Sequence, residues 1–257
     1  MIFTKRDSNA VVGVILGIII IVAVAAYFVL HQADAPAATV TVTVIEDQSC
    51  LKCQSTNPVV NSLKNNDVPV SSWNIYNYNS SEGKMLIEKY DIERAPAIII
   101  SSNLMDYEFP KQLFNASNLL MSDDSYIFYL NPPFRNLSAD RIDGLVDIYY
   151  VIDSTCKDCY NFTIHGDELA QNFKVVFGSA LYFDVSFPIG EQFADRYNIT
   201  AVPTYVLTAD AKNYPRLTQV WPSVGTIEDN GYYVFRNVSQ AGTYKNLTSG
   251  KITNQTK

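Results

Sequence analysis

The chain has 257 residues, of which 47% are hydrophobic, with a net charge of −7 and a pI near 4.8. That length suits about two compact domains beside a targeting segment. No Lys/Arg cluster occurs outside the N-terminus, so the chain has no basic footprint for phosphates and nucleic acid is excluded as a partner.

The first element in chain order is apolar. Residues 10–30, Ala10 to Leu30, are uncharged and dominated by Ile, Val, Ala and Leu. As a helix rising about 1.5 Å per residue they span the roughly 30 Å hydrocarbon core of a bilayer, which predicts one transmembrane helix. Lys5 and Arg6 precede it, and the next Lys or Arg is Lys52. The positive-inside bias therefore places residues 1–9 in the cytoplasm and everything after His31 outside, as a single-pass cell-membrane protein. Ala33, Ala35 and Ala37 supply the small residues of a signal cleavage site, but the run exceeds the roughly 7–15 residue apolar stretch of a signal peptide and reads as an anchor. Residues 31–37 form a linker. Eight Asn-x-Ser/Thr acceptors, at Asn79, Asn115, Asn136, Asn161, Asn198, Asn237, Asn246 and Asn254, all follow the span. They become glycan sites only in a glycosylating host.

An internal repeat organises the rest. Cys50-Leu51-Lys52-Cys53 and Cys156-Lys157-Asp158-Cys159 are offset by 106 residues. Tyr90 to Pro96 aligns with Tyr197 to Pro203 at an offset of 107, and Asp123-Asp124-Ser125-Tyr126 matches Asp229-Asn230-Gly231-Tyr232 at 106. The predicted domains are 38–130 and 145–238. They are joined by a linker, 131–144, that contains Pro132, Pro133 and Gly144, and followed by a polar tail, 239–257, that lacks apolar periodicity and is expected to be disordered.

Each copy opens with a strand aimed at its Cys pair: Val40, Val42 and Val44 alternate with threonines, and Leu145 to Ile152 is more continuously apolar. Helices are expected around Val59 and Leu63 and over 161–173, with strands at Trp73 to Tyr76 and Ala180 to Val185. Short helices then end at Tyr90 and Tyr197, and strands follow at Ala97 to Ile100 and Thr204 to Leu207. Asn230-Gly231 signals a two-residue hairpin before Tyr232 to Phe235. The order is β-α-β-α-β-β, an α/β fold with a mixed sheet flanked by helices.

A strand running into Cys-x-x-Cys, followed some 45 residues later by Ile-x-x-x-Pro before a β-run, resembles the thioredoxin superfamily. The tandem arrangement is similar to the archaeal and bacterial protein disulfide oxidoreductases. The resemblance covers both copies and is better in the second, since Ala97 stands where the family usually has threonine. It implies thiol–disulfide exchange with client proteins at Cys50, Cys53, Cys156 and Cys159. It further implies cis bonds at Pro96 and Pro203, with the backbone of Ala95 and Val202 beside the Cys pairs to hydrogen-bond an extended client peptide. A membrane redox partner that recycles the cysteines is implied in the same way; no cofactor and no metal are.

The chemistry also follows from residue types. A thiol at a helix N-terminus is stabilised as thiolate, which makes Cys50 and Cys156 the nucleophiles and Cys53 and Cys159 the resolving thiols. Neither pair has the family's Gly-Pro or Gly-His dipeptide, and no Trp precedes it. The buried acid usual six residues earlier is replaced by Val44 and Tyr150, leaving Glu46 or Asp153 as proton acceptor. A four-thiolate zinc site needs pairs roughly 15–20 residues apart, whereas 102 residues separate Cys53 from Cys156. His165 reads as an ordinary polar residue of a helix. The alternative to catalysis is a tethered binding or chaperone module whose two bridges are structural, but a Cys-x-x-Cys ring closes too little chain to be an effective staple.

Overall fold

The computed structural model of the protein describes residues 39–107, 119–122 and 124–254. The predicted membrane span, the residues before it and the 31–37 linker lie outside the described residues, among which no helix is long and apolar enough to cross a membrane.

Alternation along β1 (Val40–Glu46) decides where the layers lie. Val40, Val42 and Val44 face one side and pack with Leu63 of α1 (Asn57–Asn65). Ile45 faces the other side, where it meets Tyr90 of α2 (Ser81–Tyr90). Between the two helices, β2 (Val70–Asn77) returns parallel to β1, as a strand–helix–strand crossover must. A short β3 (Arg94–Ala95) leads into β4 (Ala97–Ser101), which runs antiparallel along the other edge of β1. Ala97 to Ile100 are all buried because helices cover both faces of the sheet here, which is why this strand reads as an unbroken apolar run. Then come β5 (Leu119–Ser122) and β6 (Ser125–Tyr129), giving the strand order β2-β1-β4-β6-β5.

Next are β7 (Phe134–Asn136) and β8 (Arg141–Asp143). The second half then repeats the connectivity: β9 (Leu145–Ile152), α3 (Ile164–Asn172), β10 (Val176–Asp184), α4 (Pro188–Arg196), β11 (Ala201–Val202) and β12 (Thr204–Leu207). An added α5 (Pro215–Val220) precedes β13 (Gly225–Ile227) and β14 (Tyr233–Phe235), and the strand order is β10-β9-β12-β14-β13. Ile148 and Tyr150 pack with Leu169, Leu217 and Trp221 on one face, while Val151 packs with Ala194 on the other. Gly83 and Gly190, at matching positions of α2 and α4, abut the end of the preceding strand: a Cβ on either would overlap the carbonyl oxygen of Asn77 or Asp184. Both halves lie within one compact unit that begins at Thr39.

Two predicted segments are corrected. The 131–144 linker contains β7 and β8, which pair with each other and with β3. Within 239–257, described to residue 254, the end of α6 (Val238–Ala241) is followed by β15 (Tyr244–Asn246) and β16 (Ile252–Thr253), and β15 pairs with β11. Local polarity is overridden by tertiary partners. Tyr244 and Leu247 pack against the two core faces of the second half, and backbone pairing to β11 supplies the hydrogen bonds that the sequence pattern does not advertise. Aligned at 110 residues, Phe134-Arg135-Asn136-Leu137-Ser138 and Tyr244-Lys245-Asn246-Leu247-Thr248 are one hairpin present twice. Asn230-Gly231 lies in a longer loop between β13 and β14, closed by Gly231 N–H to Glu228 O, so the two-residue hairpin is not formed.

Candidate redox sites

Cys50 bonds Cys53 and Cys156 bonds Cys159, so no cysteine is free. All four are half-buried, and Leu51, inside the first pair, is 95% exposed. Neither pair begins a helix. α1 starts at Asn57 and α3 at Ile164, and both pairs occupy turns before them. The reason lies three residues ahead of each first cysteine. Asp47 Oδ1 accepts Ser49 N–H at 2.9 Å and its carbonyl accepts Cys50 N–H at 3.1 Å. Asp153 does the same for Thr155 at 2.8 Å and Cys156 at 3.0 Å. An Asp that captures N–H groups in this way stabilises a turn in place of a first helical turn. Because the helix macrodipole fades within one turn, it does not act on these sulfurs as expected.

Asp47 and Asp153 are the equivalent buried acids, 7% and 8% exposed. Glu46 is half-buried and bonded to Gln48, so it does not fill that place. The free oxygen of each aspartate meets a cation from the hairpin: Arg135 Nε lies 2.8 Å from Asp47 Oδ2, and Lys245 Nζ lies 2.5 Å from Asp153 Oδ2. Burial pushes the Asp47 carboxyl up, but the Ser49 hydroxyl and Arg135 outweigh it and hold the carboxyl below its ordinary range. At Asp153 burial is likewise outweighed by Lys245 and Thr155. Tyr150, six residues before Cys156, is pushed up to about 12 by burial and stays a neutral hydroxyl.

Pro96 and Pro203 follow cis peptide bonds. In the second half this bend comes close to the sulfur, with Cys159 Sγ 3.8 Å from the Val202 carbonyl oxygen. The backbone expected to face a client is already paired. Ala95 lies opposite Arg135 and Val202 opposite Lys245, and both Ala95 and Val202 are fully buried at 0% exposure.

Tyr160, unassigned in the sequence, and His165, read there as an ordinary polar helix residue but buried in the structure, join the second site. Tyr160, next to Cys159, donates its hydroxyl to the Pro203 carbonyl at 2.8 Å, which leaves its oxygen to accept from His165 Nε2 at 3.0 Å. His165 is 6% exposed, among Tyr205 and Phe235. Burial lowers its pKa against the opposing pull of Glu168. Gln54 and Val59 occupy the corresponding positions of the first half, so the two sites differ. The side chains of Lys52 and Lys157 both engage backbone carbonyls, Phe177 and Gly178 for the former and Ser154 for the latter.

No protein-family model matches the chain, and no curated protein matches it. Among solved structures it is similar to the NTD_N/C domain of alkylhydroperoxide reductase AhpF from Enterococcus faecalis, at 13% identity over 66% of this chain and 82% of that one, with a TM-score of 0.19. It is similar as well to a protein disulfide oxidoreductase from Aeropyrum pernix, at 15% identity over 66% and 77% of the two chains, with a TM-score of 0.20.

Proposed function

We propose that the protein is a thiol–disulfide oxidoreductase with two Cys-x-x-Cys sites, tethered by residues 10–30 to the cell membrane with its described residues facing outward, and acting on the thiols and disulfides of client proteins. The observation that carries this reading is the second site, where a half-buried Cys156–Cys159 bridge in a capped turn lies against the cis-proline bend through Cys159 and Val202. A purely structural bridge needs no such neighbour.

In the reduced form the thiolate of Cys50 or Cys156 attacks one sulfur of a client disulfide, forming a mixed disulfide and expelling one client thiolate. Cys53 or Cys159, as thiolate, then attacks the Cys50 or Cys156 sulfur of that mixed disulfide, closes the protein's own bridge and expels the second client thiolate. Two electrons pass to the client, and the protons of the two cysteines end on the client thiols. The reverse direction oxidises a client dithiol. A membrane redox partner that restores the starting state is part of this proposal.

Cys53→Ala and Cys159→Ala remove the resolving thiol and are expected to accumulate client mixed disulfides that reductant releases. Trapping by neither variant contradicts exchange and favours a binding module.

A further inference from the structure

The repeated hairpin occupies the strand edge beside each Cys pair. Leu137 N–H donates to Glu93 O at 2.9 Å, and Leu247 N–H to Thr200 O at 2.8 Å. These fix Glu93/Leu137 and Thr200/Leu247 as hydrogen-bonded pairs. Antiparallel alternation makes Ala95/Arg135 and Val202/Lys245 the next such pairs, in agreement with the observed register. A backbone N–H is a single donor, so at both sites the group expected to bind a client backbone is spent within the chain.

The hairpin is held at a second point in each half. The residue opposite Ala95 or Val202 is the one whose side chain reaches the buried aspartate: Arg135 to Asp47, Lys245 to Asp153. Arg135 Nη2 also donates to Ser49 Oγ at 3.2 Å, and Nη1 to the Asp140 carbonyl at 3.0 Å. Strand pairing and ion pair thus tie each hairpin both to the proline bend and to the turn that carries the cysteines. The four cysteines are half-buried residues and are not closed off from solvent.

Resting on the exchange reaction proposed above, we infer that both sites act on compact disulfides, those that bring sulfur to the turn without adding a backbone strand: low-molecular-weight disulfides and bridges on folded surfaces. Extended peptides gain nothing from their flanking backbone, because the edge it would pair with is filled.

The test uses the full chain in detergent, reduced, with one Cys pair replaced by Ser in each of two variants. Three probes are compared: glutathione disulfide, an eight-residue peptide held as a mixed disulfide with glutathione, and the same peptide N-methylated on both sides of its cysteine. N-methylation removes the donors that strand addition requires and leaves the disulfide intact. The inference expects the two peptides to react within threefold of each other at each site. A loss of threefold or more on N-methylation overturns it while leaving the exchange reaction standing. Failure of the reduced protein to exchange with any probe, glutathione disulfide included, overturns the proposed reaction and this inference together.

Discussion

Lys52 Nζ lies 2.6 Å from the carbonyl oxygen of Phe177 and 3.0 Å from that of Gly178. The turn that closes the first disulfide is thereby fastened to β10, an edge strand of the other half. The register of β10 breaks between Phe177 and Ala180, where Asp147 Oδ1 accepts Ser179 N–H at 2.7 Å. Gly178 fits because a Cβ there would press on the Asp147 carboxylate at 2.5 Å.

Lys52→Met should loosen that fastening. Losing exposed hydrogen bonds worth roughly 0.5–1 kcal/mol shifts an opening equilibrium about two- to fivefold. Reduction of Cys50–Cys53 by dithiothreitol should accelerate by that factor, with Cys156–Cys159 unchanged; equal effects on both pairs would show that the contact does not restrain the first turn.

Arg135→Met leaves the Asp47 carboxylate buried without its cation. Unpairing a fully buried charge costs about 3–5 kcal/mol, and the partial exposure of Arg135 brings the expectation to about 2–4 kcal/mol. Asp47→Asn combined with Arg135→Met should cost less than Arg135→Met alone. The folded Asp47 pKa lies below 3.8, so the pair stabilises at neutral pH and its contribution is lost as pH falls from about 3.8 through the folded value. Urea unfolding should show a wild-type advantage at pH 7 that shrinks toward pH 3.

His165 reverses the usual partner logic. Its folded pKa is depressed by burial, so between the ordinary value of 6.5 and the lower folded value only the unfolded chain takes up the proton. Stability should fall as pH drops from 7.5 to 5.5. His165→Gln retains a donor for Tyr160 and removes the titration, so its melting temperature should lose this dependence. An unchanged slope would mean that another group carries it.

Gly190→Ala forces a methyl into the Asp184 carbonyl and should destabilise by about 1–3 kcal/mol in urea titration, as should Gly83→Ala against Asn77. A neutral outcome at either position would show that the helix can shift away from its strand.

The central strands and the helices flanking them were legible because their burial is local and periodic: the valines of β1 and the run Ala97 to Ile100 face cores that their own pattern announces. The Cys pairs and the positions of Pro96 and Pro203 were legible as a repeat, and the cis bonds before those prolines only through the family resemblance. The hairpins were not, because a three-residue strand with one apolar contact has no period of its own and forms by pairing with a residue some 40 positions away in the chain, Ala95 with Arg135 and Val202 with Lys245. Their signal was nevertheless present as a fourth repeat, Arg-Asn-Leu-Ser against Lys-Asn-Leu-Thr, hidden by reading Pro132 and Gly144 as linker punctuation. Asp47 was passed over in favour of Glu46 for a related reason: the cation that pairs with it, Arg135, comes from β7, far away in the chain. The turns before α1 and α3 escaped the helix-start expectation because Asp-x-Ser and Asp-x-Thr cap a turn as readily as they cap a helix.

Whether these two bridges exchange is read from the equilibrium reduction potential of each pair against glutathione, in the full chain with the other pair replaced by Ser. A catalytic exchanger should lie between about −120 and −270 mV in at least one site. Values below about −300 mV in both, with slow exchange, would mark the pairs as structural bridges that take no part in thiol–disulfide exchange.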